Sequence, residues 1–276
     1  MSYEEISKSV VFAQNDWGSN SVCIALEKEL YFIDTGLNTS RATKFRKAME
    51  TKFNRKASTL ILTHGHVDHI LAMNAYSDLE VVGAEIGKKR FERIAKVELT
   101  EEMIENMDKF FVGFRESAKE AKAFLPTKWV KDKITLGDNQ EIIFNVVGGH
   151  SSCSSSIEYV PDGIIITGDL MQVDVYPYFG EPDTDVEKWI NALKTWEEKD
   201  YKVVLPGHGK AVDIKYLRTV RIFFEQMLAT TKELKKKDLP VEEVLKHPIY
   251  TDGYWPEDAI RKPAYDFSIK NLYNNL

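Results

Sequence analysis

The histidines of this chain lie just beyond predicted strands. Five of the six follow a short apolar run of the kind that forms a buried strand. These five are His64, His66, His69, His150 and His208. The runs before them are STLILT (58–63), EIIFNVV (141–147) and YKVVLPG (201–207). Because ligand sites in α/β folds form at the carboxyl ends of strands, the sequence predicts that the five histidines meet at one edge of the sheets.

Two aspartates occupy matching positions. Asp34 follows the strand-like run ELYFI, and Asp169 follows GIIITG. With the histidines, five separate strand ends are therefore expected to deliver imidazole or carboxylate groups to the same edge. The sixth histidine, His247, lies in KHP and is expected to be a surface or packed residue.

The spacing within HGHVDH (64–69) has a physical meaning. His64 and His66 lie two residues apart in extended chain, so their side chains point to the same side. Gly65 between them brings no side chain into the site. Asp68 and His69 then fall where a helix is predicted to begin.

Four metal-binding side chains within six residues do not easily share one ion. Two adjacent ions accommodate them better, with a carboxylate such as Asp169 shared between the two. Imidazole and carboxylate ligands favour zinc, iron or manganese. Without cysteine ligands, a closed structural zinc site is not expected.

Strand-like and helical segments alternate over about the first 210 residues. Further strand-like runs occur at 21–27, 29–36, 79–84 and 156–160. SRATKFRKAME is helical in composition, with Thr39 or Ser40 as its predicted N-cap, and 186–199 is also helical. Such alternation, together with adjacent hairpin-like strands, predicts an α/β or α+β sandwich.

Two longer stretches depart from this alternation. Between Thr100 and Leu125, apolar residues recur at helical spacing and predict one amphipathic helix. Its stripe consists of Met103, Ile104, Met107, Phe110, Phe111 and Phe114. A second long helix is predicted from Ile214, followed by a short helix (241–246) and an aromatic tail. The apolar face of the long helix carries Leu217, Val220, Phe224, Met227 and Leu228.

Composition excludes several classes of protein. The 276 residues include 37 Lys+Arg against 43 Asp+Glu, a net charge of −6, whereas non-specific nucleic-acid binders carry excess Lys and Arg. No apolar run reaches the roughly 20 residues of a membrane span, and MSYEEISKSVVF does not resemble a secretory signal. Two distant cysteines, Cys23 and Cys153, suit a reducing compartment. We therefore expect a cytoplasmic protein without nucleic-acid or membrane partners.

The order of the motifs resembles that of a known family. An early DTG is followed by THGHVDH, GHSSCS, TGD and PGHG. This set is similar to the motifs of the metallo-β-lactamase superfamily and covers roughly residues 10–210. The resemblance implies a four-layer αβ/βα sandwich with a two-metal site along its edge. We expect a catalytic domain over 1–212 with a helical insertion at about 98–128, and a helical extension over 213–276 packed on it.

The resemblance also implies a role for each ligand. One metal would be bound by His64, His66 and His150. The other would be bound by Asp68, His69 and His208. Asp169 would bridge the two ions, and Asp34 would support the ligand loop rather than bind metal.

Two motifs depart from the family pattern. The third motif reads GHSSCS and lacks the family's usual Pro-Gly pair, so the shape of its loop is expected to differ. Cys153 in this loop is expected to be a small packed side chain. The helix after HGHVDH begins Ile70-Leu71-Ala72 where the family usually has glycines, which is expected to narrow or reshape the entrance.

The leading functional hypothesis is metal-dependent hydrolysis of an ester, thioester, lactone or amide in a small molecule. By the resemblance, two ions would hold a bridging hydroxide that attacks the substrate, with Asp68 and Asp169 as catalytic residues. Zinc is the expected metal, with iron or manganese as alternatives. A non-haem iron oxygenase of the sulfur dioxygenase kind and a phosphodiesterase or nuclease are the alternative functions.

Substrate choice depends on residues outside the motifs. The predicted substrate wall consists of Tyr176, Tyr178 and Phe179, downstream of Asp169. The stripe at 103–114 is either a lid or core packing. Arg218 and Arg221 either bind a substrate carboxylate or lie on a solvated helix face. The aromatic tail, with Tyr250, Tyr254, Trp255, Tyr265 and Phe267, either forms a homo-oligomer contact or packs on its own domain.

Overall fold

Two β-sheets lie at the centre of the protein. The computed structural model describes residues 2–15, 18–110, 114–251 and 261–276. Within these ranges, the first sheet contains β1 (Ser2–Glu5), β2 (Val10–Gln14), β3 (Ser21–Ala25), β4 (Glu29–Ile33), β5 (Lys56–Ile61), β6 (Glu80–Ala84) and β7 (Lys128–Val130), in that order. The second contains β8 (Lys133–Leu136), β9 (Ile142–Val146), β10 (Ser155–Tyr159), β11 (Ile164–Gln172) and β12 (Val203–His208).

Helices cover the outer faces of the sheets. The described helices are α1 (Thr39–Phe53), α2 (Val67–Ile70), α3 (Lys88–Ala95), α4 (Glu101–Phe110), α5 (Phe114–Ala118), α6 (Val186–Glu197), α7 (Ile214–Lys236), α8 (Val241–Val244), α9 (Pro248–Thr251) and α10 (Lys262–Asn275). Short 3₁₀ helices occur at Met73–Tyr76, Glu85–Gly87 and Val160–Asp162. In the described part of the chain, none of these helices is both long and apolar enough to cross a bilayer.

Parallel pairing brings strand ends to common edges. In the first sheet, β1 to β4 pair antiparallel, whereas β4 to β7 pair in parallel. In the second, β11 and β12 are parallel and the other neighbours are antiparallel. Parallel neighbours need a crossover, which α1 provides between β4 and β5 and α6 between β11 and β12. The carboxyl ends of β4 and β5 therefore lie at one edge, as do those of β11 and β12.

Among the described residues, three large apolar layers and a smaller cluster around Phe114 hold these elements together, and β3 contributes to two of the layers. Val22 and Ile24 pack in the layer between the sheets, whereas Cys23 belongs to the layer that also contains Phe45 of α1. This division follows from the alternation of side chains along a strand. The third layer joins the second sheet to α6 and α7. With helices outside both sheets, the predicted αβ/βα sandwich is confirmed.

The C-terminal segment shares a core with the second sheet. Phe224 of α7 packs on Trp189 of α6, with ring centroids 4.7 Å apart. Tyr250 and Tyr265 of the aromatic tail are buried in the same layer, whereas Phe267 is exposed. The tail therefore packs on its own chain and forms α10, which the sequence pattern did not predict. Tyr254 and Trp255 lie outside the described residues.

Several element boundaries differ from the predicted ones. Asn38 caps α1, because its Oδ1 accepts a hydrogen bond of 2.9 Å from the backbone N–H of Arg41, so the predicted cap at Thr39 or Ser40 is wrong. Of the helix predicted over 100–125, the described residues are helical over α4 and α5 but not after Ala118, so the predicted C-terminal boundary is wrong. Of its stripe, Phe114 is buried and Met103 is 40% exposed. Phe111 and the side chain of Phe110 lie outside the described part.

Candidate metal centre

The first sheet supplies the donors of the HGHVDH motif. His64 follows β5, and His66 lies immediately before α2 with extended backbone. Asp68 and His69 lie within α2. Because His64 and His66 stand on extended chain and the others on the first helical turn, the four side chains converge from one short segment.

The second sheet supplies the remaining donors. His150 follows β9, and the two residues before it, Gly148 and Gly149, have φ of 76° and 101°, a backbone conformation that favours glycine. Asp169 lies in β11, and His208 is the last residue of β12. Parallel pairing of these two strands brings Asp169 and His208 to the same edge.

The seven predicted ligand residues form two groups of metal donors. The first donor group consists of His64, His66, His150 and Asp169. The second consists of Asp68, His69 and His208. Within each group, one donor atom per residue lies within 4.8 Å of the others. This spacing suits one ion in each group.

Asp169 lies between the two groups and directs one oxygen at each. Its Oδ2 is 3.6 Å from Nε2 of His150 in the first group. Its Oδ1 is 3.1 Å from Nε2 of His69 and 3.3 Å from Nε2 of His208 in the second group. A carboxylate placed in this way can serve as a shared ligand.

Buried polar atoms in both groups make no hydrogen bond of good geometry, although Oδ1 of Asp169 approaches Nε2 of His69. Nε2 of His64, Nε2 of His69 and Oδ1 of Asp169 are buried without a hydrogen bond in the described structure. Leaving such atoms unsatisfied costs about 1–3 kcal/mol each. A bound cation would satisfy them, so the residues present fit a metal site.

Burial keeps two histidines of the first group, His150 and His64, neutral. Burial and the neighbouring His66 lower the pKa of His150 to about 3. Burial also lowers the pKa of His64 well below its ordinary value, with contributions from His69 and His66. Neutral imidazoles offer the free lone pair that a metal ion needs.

Nearby carboxylates raise the pKa values of both histidines in the second group. Burial lowers the pKa of His208, but Asp169 and Asp68 outweigh it and raise the pKa to about 9. The pKa of His69 is likewise raised, because Asp169 and Asp34 outweigh burial. Metal binding to this group would therefore release protons.

A cavity of about 500 Å³ opens beside both groups. Its walls include Met107 of α4, Tyr176, Tyr178, and Arg261 and Tyr265 at the start of α10. A volume of this size is typical of sites for small molecules. Two residues of the predicted substrate wall thus reach the cavity. The third, Phe179, does not: it is 1% exposed and packs against Phe224 and Tyr265, so its placement in the wall is wrong.

The family model described as the metallo-beta-lactamase superfamily matches residues 15–208. The chain belongs to this superfamily. No curated protein sequence matches it.

Solved structures of the superfamily share the fold. TMB-1 is 17% identical with a TM-score of 0.61, and the match covers 82% of this chain and 97% of that one. A metallo-beta-lactamase from Pontibacter korlensis is 17% identical with a TM-score of 0.62, over 81% and 98% of the two chains. Another from Hirschia baltica is 15% identical with a TM-score of 0.60, over 81% and 97%. At these identities, the likeness concerns the fold alone.

Hydrogen-bond acceptors orient two of the candidate metal ligands, His69 and His150. Nδ1 of His69 donates to Oδ2 of Asp34 at 2.7 Å, and Thr63 donates to both oxygens of the same carboxylate. Nδ1 of His150 donates to the carbonyl oxygen of Tyr178 at 2.8 Å. When each ring is neutral, this donation from Nδ1 leaves Nε2 as the acceptor atom that can bind a metal. Asp34 thus occupies the supporting position that the resemblance implies.

An ion-pair network that the sequence patterns did not predict lies next to His66. Nε2 of His66 lies 3.4 Å from Oε1 of Glu181, while its Nδ1 lies 3.1 Å from Nε2 of His150. Arg90 of α3 holds Glu181 at 2.8 Å and Asp183 at 2.7 Å. His66 and Arg90 together lower the pKa of Glu181 to about 2, so its carboxylate is charged at neutral pH. The only sequence signal was the acidic run EPDTD downstream of Asp169.

Replacing Glu181 with alanine is expected to weaken metal binding by about 10- to 100-fold, the usual cost of losing a partner of a ligand. His66 would lose the carboxylate that holds its ring. Competition between the protein and a chromophoric zinc chelator measures the affinity. Glu197→Ala is a matched control: Glu197 is 19% exposed, like Glu181, and pairs with Arg221 of α7 instead. Equal losses in both variants would contradict this role of Glu181.

Gly207 makes room for Asp169. A Cβ at position 207 would lie 2.1 Å from Oδ1 of Asp169 and 2.7 Å from the carbonyl carbon of Gly168. Gly207→Ala is therefore expected to displace Asp169, lower the metal content and destabilise the fold by about 1–3 kcal/mol. Metal analysis and thermal unfolding measure both effects.

Gly163→Ala separates metal loss from destabilisation. Gly163 has φ of 65°, so alanine is strained there, but the atom nearest its Cβ is 3.4 Å away and lies outside both donor groups. This variant is expected to lose stability and keep its metal. Full metal content in Gly207→Ala would contradict the expected displacement.

Three other candidate residues, Cys153, Arg218 and Arg221, do not line the cavity. Cys153 is fully buried, and its side chain lies where a Cβ on Gly87 would be only 2.7 Å away, as expected for a small packed residue. Arg221 pairs with Glu197 and Glu225, so its guanidinium is held on the surface of α7. Arg218 is exposed and does not line the cavity.

Proposed function

We propose that the protein is a metal-dependent hydrolase that cleaves an ester, thioester, lactone or amide bond in a small molecule. The observation that carries the proposal is the position of Asp169, whose two oxygens face two separate donor groups beside an open cavity. This arrangement favours two ions over one. The nitrogen and oxygen donors favour zinc, with iron or manganese as alternatives.

Bound divalent ions would activate water at neutral pH and polarise the scissile carbonyl. The chain's own residues would hold the ions and manage the proton. Hydrolysis adds the oxygen of water to the acyl carbon, breaks the bond to the leaving group and transfers a proton to that group. Asp68 lines the cavity, with its Oδ2 3.1 Å from Nε2 of His208, and is the proposed carrier of this proton.

The alternative of a mononuclear iron dioxygenase has less support. It would leave the second donor group without a function, although Asp68, His69 and His208 converge as closely as the first group does. A nuclease has less support as well, because the cavity has the size of a small-molecule site and the chain carries a net charge of −6. Both cysteines are buried and unpaired, which supports the proposed cytoplasmic location.

Metal analysis followed by a hydrolysis panel tests the proposal. Protein purified without chelators is expected to contain two zinc or manganese ions per chain and to cleave at least one of p-nitrophenyl acetate, acetyl thioester, lactone and anilide substrates. A chelator should abolish the activity, and added zinc should restore it. One iron per chain with oxygen-dependent turnover would overturn the proposal.

A further inference from the structure

A second cavity lies behind α4, next to the cavity that borders the donor groups. This side cavity has a volume of about 180 Å³. Its walls include Leu71, Ile94, Leu99, Met103 and Phe114. Lys122 is the one charged residue among the described lining residues. The side cavity is therefore a predominantly apolar space in the wall of the candidate active site.

We propose, building on the hydrolase function above, that the side cavity holds the hydrocarbon chain of the substrate. The scissile acyl group would then lie in the larger cavity beside the donor groups. The substrates would be acyl compounds with a medium-length aliphatic chain.

The position of the side cavity supports this assignment. Val67 and Met107 line both cavities, and Val67 stands between His66 and Asp68 of the two donor groups. A chain in the side cavity is thus separated from the metal donors by the width of one residue. Met107 is half-buried and unbranched, so it can change rotamer to join the two spaces. A hydrocarbon chain that enters the side cavity by this route stays connected to a group in the larger cavity. The chain is therefore part of the substrate.

The size and polarity of the side cavity define the length of the chain. An apolar cavity of about 150 Å³ in another protein stays dry and binds benzene. The side cavity is slightly larger, so it suits a hydrocarbon group of about six carbons. Apart from Lys122, the described side chains that line it are apolar and offer a polar chain no hydrogen-bond partner. A charged or hydroxylated chain is therefore disfavoured.

A series of p-nitrophenyl esters from acetyl to dodecanoyl tests the proposal in the metal-loaded protein. Burying one methylene contributes about 0.8 kcal/mol, which corresponds to about fourfold in kcat/KM. We expect this increase per carbon until the side cavity is filled, and no further increase for longer chains. A flat dependence on chain length would overturn the proposal.

Variants that change the size of the side cavity sharpen the test. Ala121→Phe fills it, and we expect the ratio of hexanoyl to acetyl kcat/KM to fall at least tenfold. Ile94→Ala enlarges it and is expected to shift the preferred chain to a longer one, a gain that misfolding cannot produce. Ala118→Phe is the matched control, because Ala118 is half-buried on α5 and does not line the side cavity. An unchanged preference in both Ala121→Phe and Ile94→Ala would contradict the proposal.

Binding of 1-hexanol keeps the test independent of hydrolysis. The alcohol is expected to raise the Tm of the parent protein and of Ala118→Phe, but not that of Ala121→Phe. Equal shifts in all three proteins, or none, would count against the side cavity as a chain-binding site. If no ester is cleaved but 1-hexanol binds as expected, the hydrolase function fails and the cavity assignment stands.

Discussion

Asp169→Asn is expected to abolish hydrolysis and to reduce the metal content of the protein from two ions to one or none per chain. Asparagine keeps the shape of the side chain but removes its charge and one of its two acceptor oxygens. Each oxygen of Asp169 faces a different donor group, so the substitution affects both. Loss of an indirect partner of a metal ligand costs about 10- to 100-fold, so loss of a shared ligand should cost more than about 100-fold in kcat/KM.

Metal content measured by elemental analysis and activity on the best ester of the panel test this expectation together. Asp78→Asn is a suitable control, because Asp78 is an aspartate that pairs with Arg46 of α1 and belongs to neither donor group. The control should keep two ions and full activity. Two tightly bound ions and parental activity in Asp169→Asn would contradict the role of Asp169 as a shared ligand.

Removal of the metal ions with a chelator is expected to lower the Tm by about 8–16 °C. Ions that bind only the folded protein stabilise it by about 4 kcal/mol when present at 1,000 times their dissociation constant. For a chain of this size, each kcal/mol corresponds to about 2–4 °C in Tm. The physical reason is the set of buried donor atoms, several of which are left without a hydrogen bond when the ions leave.

Thermal unfolding of the same sample before chelation, after chelation and after addition of zinc measures the effect. The Tm should return to its first value when zinc is added. In Asp169→Asn, the chelator should have a smaller effect, because fewer ions are bound at the start. An unchanged Tm after removal of both ions, verified by elemental analysis, would show that the donor groups do not couple metal binding to folding.

The donor residues were predictable because the signals for them are local. HGHVDH places four donors within six residues, and each of the other donors follows or lies in an apolar run that reads as a strand. Neither inference needs knowledge of distant contacts. Helix boundaries were predicted less well where neighbouring residues can each serve as the N-cap. At the start of α1, for example, Asn38 rather than Thr39 is the cap. The short, partly charged strands β1, β7 and β8 were missed because pairing with neighbours, rather than composition, makes them strands. The apolar, buried strand β2 was missed as well.

Residues around the donors were harder to predict, because their roles depend on contacts across the fold. Glu181 lies 115 positions beyond His66 in the sequence, yet their side chains are 3.4 Å apart. Phe179 and Tyr178 are neighbours in the chain, but the loop turns Tyr178 toward the cavity and Phe179 into the core. Both residues are aromatic, so the sequence pattern does not distinguish the cavity position from the core position. Only the packing of α7 and α10 on the second sheet separates them.

The sequence by itself determined the class of chemistry, since histidines and aspartates recur at strand ends in an order typical of one superfamily. The resemblance already implied how these donors divide between two ions, and the tertiary structure decided their geometry. The register between β11 and β12 places Asp169 with one oxygen toward each group, and the packing of α4 beside α2 leaves the side cavity next to them. Strand register and helix packing depend on long-range contacts between side chains, which local sequence patterns do not specify.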